Sequence, residues 1–509
     1  MPQMSVSARG ASPMSRTEPE PCIVVIFGAS GDLTHRKLMP ALHDLQRAGL
    51  LPEACCIVGA ARTDMSDDAF RDNARAGITE AGGVAGTELS RFLQRVFYVQ
   101  AAGEDPVSLA RLKERLDQLD QAWQTRGNRV FYLSVPPGAA PGIVRALAAS
   151  GMTDTHAGAW RRVIIEKPFG RDLESARALN RQLSEDLAEN QIYRIDHYLG
   201  KETVQNVLAL RFANSLFEPL WNNRYVSHVQ LTVAESLGIG SRAKYFEQAG
   251  ILRDMVQNHM LQALSLIAME PPADLTSRSI RDAKAQLLRS IRRYTPCDAV
   301  ASSVRAQYAP GWIDGRMVPG YREEKGVSPD SVTESYVALR LWIDNWRWAG
   351  VPFYLRVGKR LPVRATEASI HFRPVPKVLF NADPDTTLEE NALILRIQPN
   401  EGVNLRFGAK APGAAMRIEP VSMDFRFAAS FGDVAPDAYE RLLLDVMQGD
   451  PTLYIRSDEI EAAWEAMTPF LEGWASCPNA PLPGYEAGSW GPAEAKALVG
   501  ETCHAWRWL

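Results

Sequence analysis

The chain has 509 residues, of which 46% are apolar, 23% charged and 8% aromatic. These proportions are those of a globular protein and exclude collagenous, coiled-coil and wholly disordered classes; at this length two or three domains fit without disulfide or metal staples. Sixty acidic residues against 56 basic ones leave a net charge of −4, which argues against a nucleic-acid partner but leaves room for a local basic site for an anionic small molecule.

Residues 1–20 are rich in Ser, Pro, Arg and Glu and lack an apolar core, so they read as a disordered tail and not as a secretory signal. From Cys22 to about residue 196, apolar runs of strand length alternate with helix-patterned stretches. The runs are 22–27, 56–60, 129–135 and 162–166; the helical stretches are 37–48, 107–123, 142–149 and 173–189. Unalternated strands separated by helices predict a parallel sheet covered on both faces, a doubly wound α/β (Rossmann-like) domain over 21–198. Beyond residue 199 the pattern changes. A helical stretch to about residue 217 is followed by strand candidates at 226–234, 332–342, 353–357, 368–372, 392–398, 403–407 and 423–427, with a Pro- and Gly-containing connection at 377–384. Helices are expected at 250–269, 436–447 and 458–471. The region 199–509 therefore reads as an α+β domain built on a large, mainly antiparallel sheet. The six cysteines form no C-x-x-C pair, and the longest apolar runs are too short to span a membrane. The expectation is a reduced, cytoplasmic chain with no membrane partner.

Three places carry chemistry. The first strand ends in Gly28-Ala29-Ser30-Gly31-Asp32-Leu33-Thr34-His35-Arg36-Lys37. Such a turn lets backbone N–H groups at a helix start meet a pyrophosphate, although the G-x-x-G spacing also serves an ordinary strand–helix turn. The second strand ends Ala61-Arg62-Thr63 with no carboxylate for a ribose hydroxyl; an arginine and a hydroxyl there favour a 2′-phosphate, hence NADP, unless Arg62 is simply solvated. Glu166-Lys167-Pro168-Phe169-Gly170 places a lysine at the carboxyl end of a strand, where a ligand crevice or a plain surface turn would both fit.

Arg194-Ile195-Asp196-His197-Tyr198-Leu199-Gly200-Lys201-Glu202 is the densest polar cluster. If it is helical, His197 and Lys201 share a face suited to a phosphate monoester, with Tyr198 beside them, and Asp196 caps the helix. On the patterned stretch that begins at Gly250, His259 shares a face with Leu252, Met255 and Val256. It is either a core histidine or a rigidly held general base. On an ideal α-helix Asp254, five residues earlier, lies well round from it, so the two are not a same-face pair. No metal-ligand cluster is legible, and none is expected.

Taken together the motifs resemble the glucose-6-phosphate dehydrogenase family. The resemblance runs from Cys22 to Leu509 and rests on GASGDL (28–33), EKPFG (166–170), RIDHYLGKE (194–202), RDMVQNH (253–259), RVGK (356–359), QPNEGV (398–403), DAYERLLLDVMQGD (437–450) and YEAGSWGP (485–492). It implies that Gly28, Ala29, Ser30, Gly31, Asp32, Leu33, Thr34 and His35 hold the cofactor pyrophosphate, that Arg62 and Thr63 hold its 2′-phosphate, and that Lys37 and Lys167 lie between cofactor and sugar. His197, Tyr198 and Lys201 would hold the substrate phosphate, with Lys359, Arg364 and Gln398 completing that site. Glu235 and Asp254 would accept hydrogen bonds from sugar hydroxyls. His259 would be the general base and Asp196 its carboxylate partner, and the Lys167–Pro168 peptide would be cis. Two positions depart from the family pattern: Thr34-His35 after GASGDL, and Lys244-Tyr245-Phe246-Glu247 where the family has Gly-Tyr-Tyr/Phe-Asp.

The activity implied is oxidation of D-glucose 6-phosphate to its lactone with NADP, the first step of the pentose phosphate pathway, with NAD as a weaker or second cofactor. A homodimer or homotetramer is expected. The alternatives are a dehydrogenase of another sugar or sugar phosphate, or a non-catalytic NADP-binding protein.

Overall fold

The apolar runs of the first 200 residues form strands because both of their faces can be covered: every residue of the first two strands is buried. The computed structural model describes residues 19–84, 86–155, 158–376, 388–413, 416–432, 437–477, 480–502 and 504–509. The expected tail up to residue 18, the whole 377–384 connection, and Pro436 at the start of an expected helix lie outside the described residues. The described chain divides into two units. One contains the residues up to Glu166 with Asp186–Tyr193 and Tyr439–Pro451; the other contains Lys167–Glu185, Arg194–Ala438 and Thr452–Leu509.

The first unit is built on β1 (Cys22–Phe27), β2 (Cys55–Ala61), β3 (Val96–Gln100), β4 (Arg129–Leu133), β5 (Arg161–Ile165) and the start of β6 (Ile192–Ile195). Their order is β6-β5-β4-β1-β2-β3. The β1–β2, β1–β4, β2–β3 and β4–β5 pairs are parallel. The order reverses at β1, so the turn after β1 opens at the switch point where such sheets take ligands. The strand β3 and the helices Asp67–Glu80 and Thr87–Leu93 were not expected. In β3 the burial alternates, and its short apolar run is interrupted by Tyr98 and Gln100.

The second unit contains β7 (Val226–Ala234), β8 (Ser303–Ala309), the small hairpin β9 (Gly311–Ile313) and β10 (Arg316–Val318), β11 (Tyr336–Trp342), β12 (Pro352–Gly358), β13 (Ala365–Phe372), β14 (Ala392–Gln398), β15 (Gly402–Lys410), β16 (Ile418–Arg426), β17 (Tyr454–Ile455) and β18 (Gly484–Glu486). Nine of them form one sheet in the order β16-β15-β14-β13-β7-β12-β11-β8-β18. All its pairs are antiparallel except β7–β12 and β8–β18. The large, mainly antiparallel sheet is thus observed. The strand expected from residue 332 begins only at Tyr336.

Two local expectations are corrected. The stretch 197–200 is a turn and not a helix; the helix begins at Glu202, because Asp196 Oδ1 accepts the Tyr198 N–H at 2.9 Å and closes a local turn that competes with helix. His197 and Lys201 are therefore not neighbours on one helical face. The stretch expected as one helix over 250–269 is three pieces. A helix Ala243–Ile251 contains Gly250 at φ +65°; a π-helix, Leu252–Met260, follows; and an α-helix, Leu261–Ala268, completes the run.

Gly250 is required at the start of the π-helix. Its positive φ favours glycine, and a Cβ there would lie 2.3 Å from Glu334 Oε1, the same oxygen that accepts the Leu252 N–H at 3.2 Å. Gly250→Ala is therefore expected to destabilise the fold by roughly 1–3 kcal/mol, read by chemical or thermal denaturation. Unchanged stability would contradict this account of the π-helix start.

Candidate active site

Four strand ends of the nine-stranded sheet meet at one edge. β7 and β12 are parallel with Ala234 opposite Gly358, so Glu235 and Lys359 emerge side by side, and Lys359 Nζ donates to Glu235 Oε2 at 2.6 Å. β13 runs antiparallel to β7 with Ala365 opposite Ala234, and pairs β14 with Thr366 opposite Gln398. That register brings the start of β13 and the end of β14 to the same edge. Gln398 Nε2 donates to Thr366 Oγ1 at 3.1 Å, and Gln398 Oε1 accepts from Lys201 Nζ at 2.6 Å. Arg364 is exposed there. Burial, against the pull of Glu401 and helped by the Arg364 charge, brings the Lys201 ammonium down to about 8.

Next to this cationic group lies a buried chain of ionisable residues. Asp196, at the carboxyl end of β6, is bonded through Oδ1 to His259 Nδ1 at 2.5 Å, and both side chains are 1% exposed. Lys167 Nζ lies 2.9 Å from His259 Nε2, and it also donates to the backbone oxygen of Asp254 at 2.9 Å and to its Oδ1 at 3.1 Å. An ammonium can only donate, so Nε2 carries the lone pair and the ring proton sits on Nδ1, facing Asp196. The π-helix explains why Asp254 and His259 meet the same lysine. With i→i+5 bonding, residues five apart lie nearly above one another. The α-helical expectation that separated their faces does not hold, although the two side chains still meet through Lys167 and not directly.

The charges follow from this geometry. Burial would raise the Asp196 carboxyl, but His259, His197 and the Tyr198 N–H outweigh it and hold it well below the usual range. Burial likewise opposes ionisation of Asp254, yet Lys167, Lys359 and Arg242 hold it at about 2. His259 is pushed down, first by burial and then by the Lys167 charge, against the upward pull of Asp196. His197 is pushed further down by burial and by His259. The rings pack together: Tyr198 stacks on His259 with centroids 4.3 Å apart, His197 meets His259 edge-on at 4.6 Å, and Lys201 Nζ is 4.0 Å from the Tyr198 centroid. The resulting group is a neutral imidazole with an accepting nitrogen, the carboxylates of Asp196, Asp254 and Glu235, and the cations Lys167, Lys201 and Lys359.

Two residues here were not singled out from sequence. Tyr245 OH donates to Asp254 Oδ1 at 3.2 Å, and Arg242 Nη2 approaches Asp254 Oδ2 at 3.4 Å. Tyr245 belongs to the segment whose departure from the family pattern was noted, and that departure was the available signal; Arg242 lies two residues before it. Lys244 itself is exposed. Two groupings that the sequence did not show occur among the described residues: ligand atoms of Asp196, His197 and His259 lie within 4.8 Å of one another, as do those of His228, His371 and Glu390. His259 is distant in sequence from the adjacent Asp196 and His197, and His228 from His371 and Glu390, which hid both groups. In the first group the Asp196–His259 bond and the Lys167 ammonium already occupy atoms a cation would need.

In the first unit, the turn after β1 opens onto a cleft of about 670 Å³ lined by Gly28, Ser30, Gly31, Arg62, Thr63, Ser134 and apolar residues including Val135 and Ile143. Gly28 has φ +77°, and a Cβ there would fall 2.0 Å from Ser134 O. Thr63 Oγ1 donates to Ser30 Oγ at 3.3 Å, and Tyr98 OH and Gln100 Nε2 from β3 donate to the carbonyls of Thr63 and Arg62. Glycines, a hydroxyl pair and an exposed arginine around the cleft fit a dinucleotide phosphate. Ala29, Asp32, Thr34 and His35 line a smaller adjoining cavity of about 280 Å³, whereas Leu33 and the exposed Lys37 line neither.

The sign of the pH dependence follows. His259 must be neutral to accept a proton, and its environment disfavours the charged form. The acid limb of kcat/KM is therefore expected below the 6.5 of an ordinary histidine. Asp196→Asn removes the charge that raises His259, so it should move the limb to still lower pH while lowering kcat by about 10²–10⁴-fold. A limb that moves upward would contradict the arrangement. On the alkaline side, loss of the Lys201 charge should raise KM for an anionic substrate above pH about 8.

Comparison with known proteins agrees over nearly the whole chain. Residues 25–206 match the family model "Glucose-6-phosphate dehydrogenase, NAD binding domain", and residues 208–507 match "Glucose-6-phosphate dehydrogenase, C-terminal domain". The chain is 47% identical to the glucose-6-phosphate 1-dehydrogenase of Aggregatibacter actinomycetemcomitans over 488 residues, covering 96% of this chain and 97% of that protein. It is 45% identical to glucose-6-phosphate 1-dehydrogenase 2 of Mycobacterium tuberculosis H37Rv, covering 96% and 94%. Among solved structures, a glucose-6-phosphate dehydrogenase in complex with its substrate glucose-6-phosphate superposes with a TM-score of 0.88 at 32% identity, covering 96% of this chain and 99% of that one. The Mycobacterium avium enzyme superposes with a TM-score of 0.81 at 37% identity, covering 96% and 100%. With both domain models matched in order, the chain belongs to the glucose-6-phosphate dehydrogenase family.

Proposed function

We propose that this chain oxidises D-glucose 6-phosphate at C1 to 6-phosphoglucono-1,5-lactone, using NADP, as the first step of the pentose phosphate pathway. The observation that carries the chemistry is the bond from His259 Nδ1 to buried Asp196, which leaves Nε2 as the accepting atom. Oxidising a cyclic hemiacetal requires removal of the C1 hydroxyl proton as the C1 hydrogen leaves with its electrons. His259 Nε2 takes that proton, and Asp196 stabilises the imidazolium that forms. Lys167, now bonded to Nε2, yields that nitrogen to the sugar hydroxyl and keeps its contact with Asp254. When bound, the dinucleotide supplies the hydride acceptor.

The sugar phosphate is held by Lys201, His197 and Tyr198, with Lys359, Arg364 and Gln398 at the same sheet edge. Glu235 and Asp254 accept from ring hydroxyls. Binding energy at the phosphate orients C1, several bonds away. For the cofactor, Gly28, Ser30 and Gly31 would hold the pyrophosphate, Arg62 and Thr63 the 2′-phosphate, and Ala29, Asp32, Thr34 and His35 would flank the turn. Leu33, Lys37 and Lys167 complete the expected cofactor set. The functional division falls near residue 198, as the boundaries of the matched family models support.

The same reading includes a cytoplasmic homodimer or homotetramer. Apolar side chains on the edge strand β16 and the short helix after it are in keeping with assembly: Met423 is 62% exposed and Phe431 78%. No helix among the described residues is long and apolar enough to cross a membrane.

The test is NADPH formation by purified protein, followed by absorbance, with glucose 6-phosphate and free glucose compared. Rapid, phosphate-dependent turnover is expected; no turnover in folded protein, or equal rates on both sugars, would reject the proposal. Arg62→Ala should raise KM for NADP roughly 10–100-fold, the worth of one charge-assisted hydrogen bond, and leave KM for NAD nearly unchanged. Equal effects on both cofactors would make Arg62 a plain surface residue.

A further inference from the structure

Cys297 and Cys477 are 180 residues apart in sequence, yet their Sγ atoms lie 3.6 Å from each other. Cys297 is exposed, near the start of the helix Pro296–Ala301; Cys477 is partly exposed and caps the helix Ser457–Ser476. Tight helix packing sets the pair. A Cβ added to Gly473 would lie 2.3 Å from Pro296 O and 2.9 Å from Val300 Cγ2, so glycine is what lets the two helices touch. Cys477 is held one turn beyond that contact, its N–H donating to Gly473 O at 2.9 Å. Neither sulfur takes part in the proposed chemistry.

We propose that Cys297 and Cys477 are a reversible oxidation site that closes to an intramolecular disulfide. The thiols need to approach by only about 1.5 Å to reach bonding distance. The oxidant is a low-molecular-weight disulfide of the glutathione class. The Cys297 thiolate attacks one sulfur of that disulfide and forms a mixed disulfide, releasing one small thiol, which takes up the Cys297 proton. The Cys477 thiolate then attacks the Cys297 sulfur and expels the second small thiol, which takes up the Cys477 proton. Two protein thiols are oxidised and one small disulfide is reduced to two thiols. In a reducing compartment the pair stays open, and under oxidative load it closes, as redox-sensing pairs in such compartments do. The bond would tie the end of the helix Ser457–Ser476 to the helix Pro296–Ala301. That longer helix also carries Trp464, whose Nε1–H donates to Phe169 O at 2.8 Å, two residues from Lys167. Closing so long a loop restricts the unfolded chain and raises stability.

The test uses the full chain treated with oxidised glutathione and then alkylated under denaturing conditions. The expected product has four alkylatable cysteines in place of the six in the sequence, a mass lower by two hydrogens, and a dithiothreitol-sensitive peptide pair joining residues 297 and 477. Its Tm is higher, and reduction reverses the shift. Cys477→Ser should instead retain a single glutathione adduct on Cys297 and show no rise in Tm. Six free thiols after oxidation, separate adducts on both residues without a cross-link, or the same rise in Tm in Cys477→Ser would overturn the proposal.

Discussion

The bond between the Asp196 carboxylate and His259 Nδ1 decides which nitrogen of a buried imidazole is left to accept a proton. Neither group could hold its state alone. An unpaired carboxylate at 1% exposure would be driven toward its neutral form, and an imidazole without the carboxylate could adopt either tautomer. Paired through Oδ1 and Nδ1, each fixes the other's state, and the Lys167 ammonium at Nε2 completes the arrangement by opposing a second proton on the ring. Breaking one member of a buried network of this kind costs several kcal/mol, because the remaining charge is left uncompensated.

The surrounding structure positions these atoms. The carboxyl end of β6 delivers Asp196, the π-helix delivers His259 and Asp254 to one lysine, and Gly250 with Glu334 fixes where the π-helix begins. The proposed phosphate site is built differently. Its cations and amide emerge from four strand ends brought to one edge by sheet register, and Lys201 joins them through Gln398. In the proposed function, a base held by burial and a phosphate clamp held by a sheet edge divide the work: the clamp supplies orientation, the base the proton transfer.

Much of this was legible in sequence, for identifiable reasons. Unalternated apolar runs at 22–27 and 162–166 announced a covered parallel sheet, and the change of pattern after residue 199 announced the antiparallel one. The residues around His259 were legible as a set because ordered motifs matched a family. Their geometry was not. An apolar stripe on 250–269 reads as α-helical, and nothing in its spacing reveals the i→i+5 bonding that brings Asp254 and His259 to Lys167. The turn at 197–200 was misread because a polar cluster before a helix resembles its first turn, while Asp196 was already committed to the Tyr198 N–H and to His259. Arg242 and Tyr245 were missed because their partner, Asp254, lies on another helical segment and only the fold joins them.

The central claim concerns a tautomer, and nitrogen NMR of the His259 ring reads it directly. In protein with ¹⁵N-labelled histidine, assigned by difference against His259→Asn, at neutral pH and without substrate, the account predicts a protonated Nδ1 strongly shifted by its short bond to Asp196 and an unprotonated Nε2. A ring protonated at Nε2 alone, or an imidazolium carrying protons on both nitrogens, would contradict it.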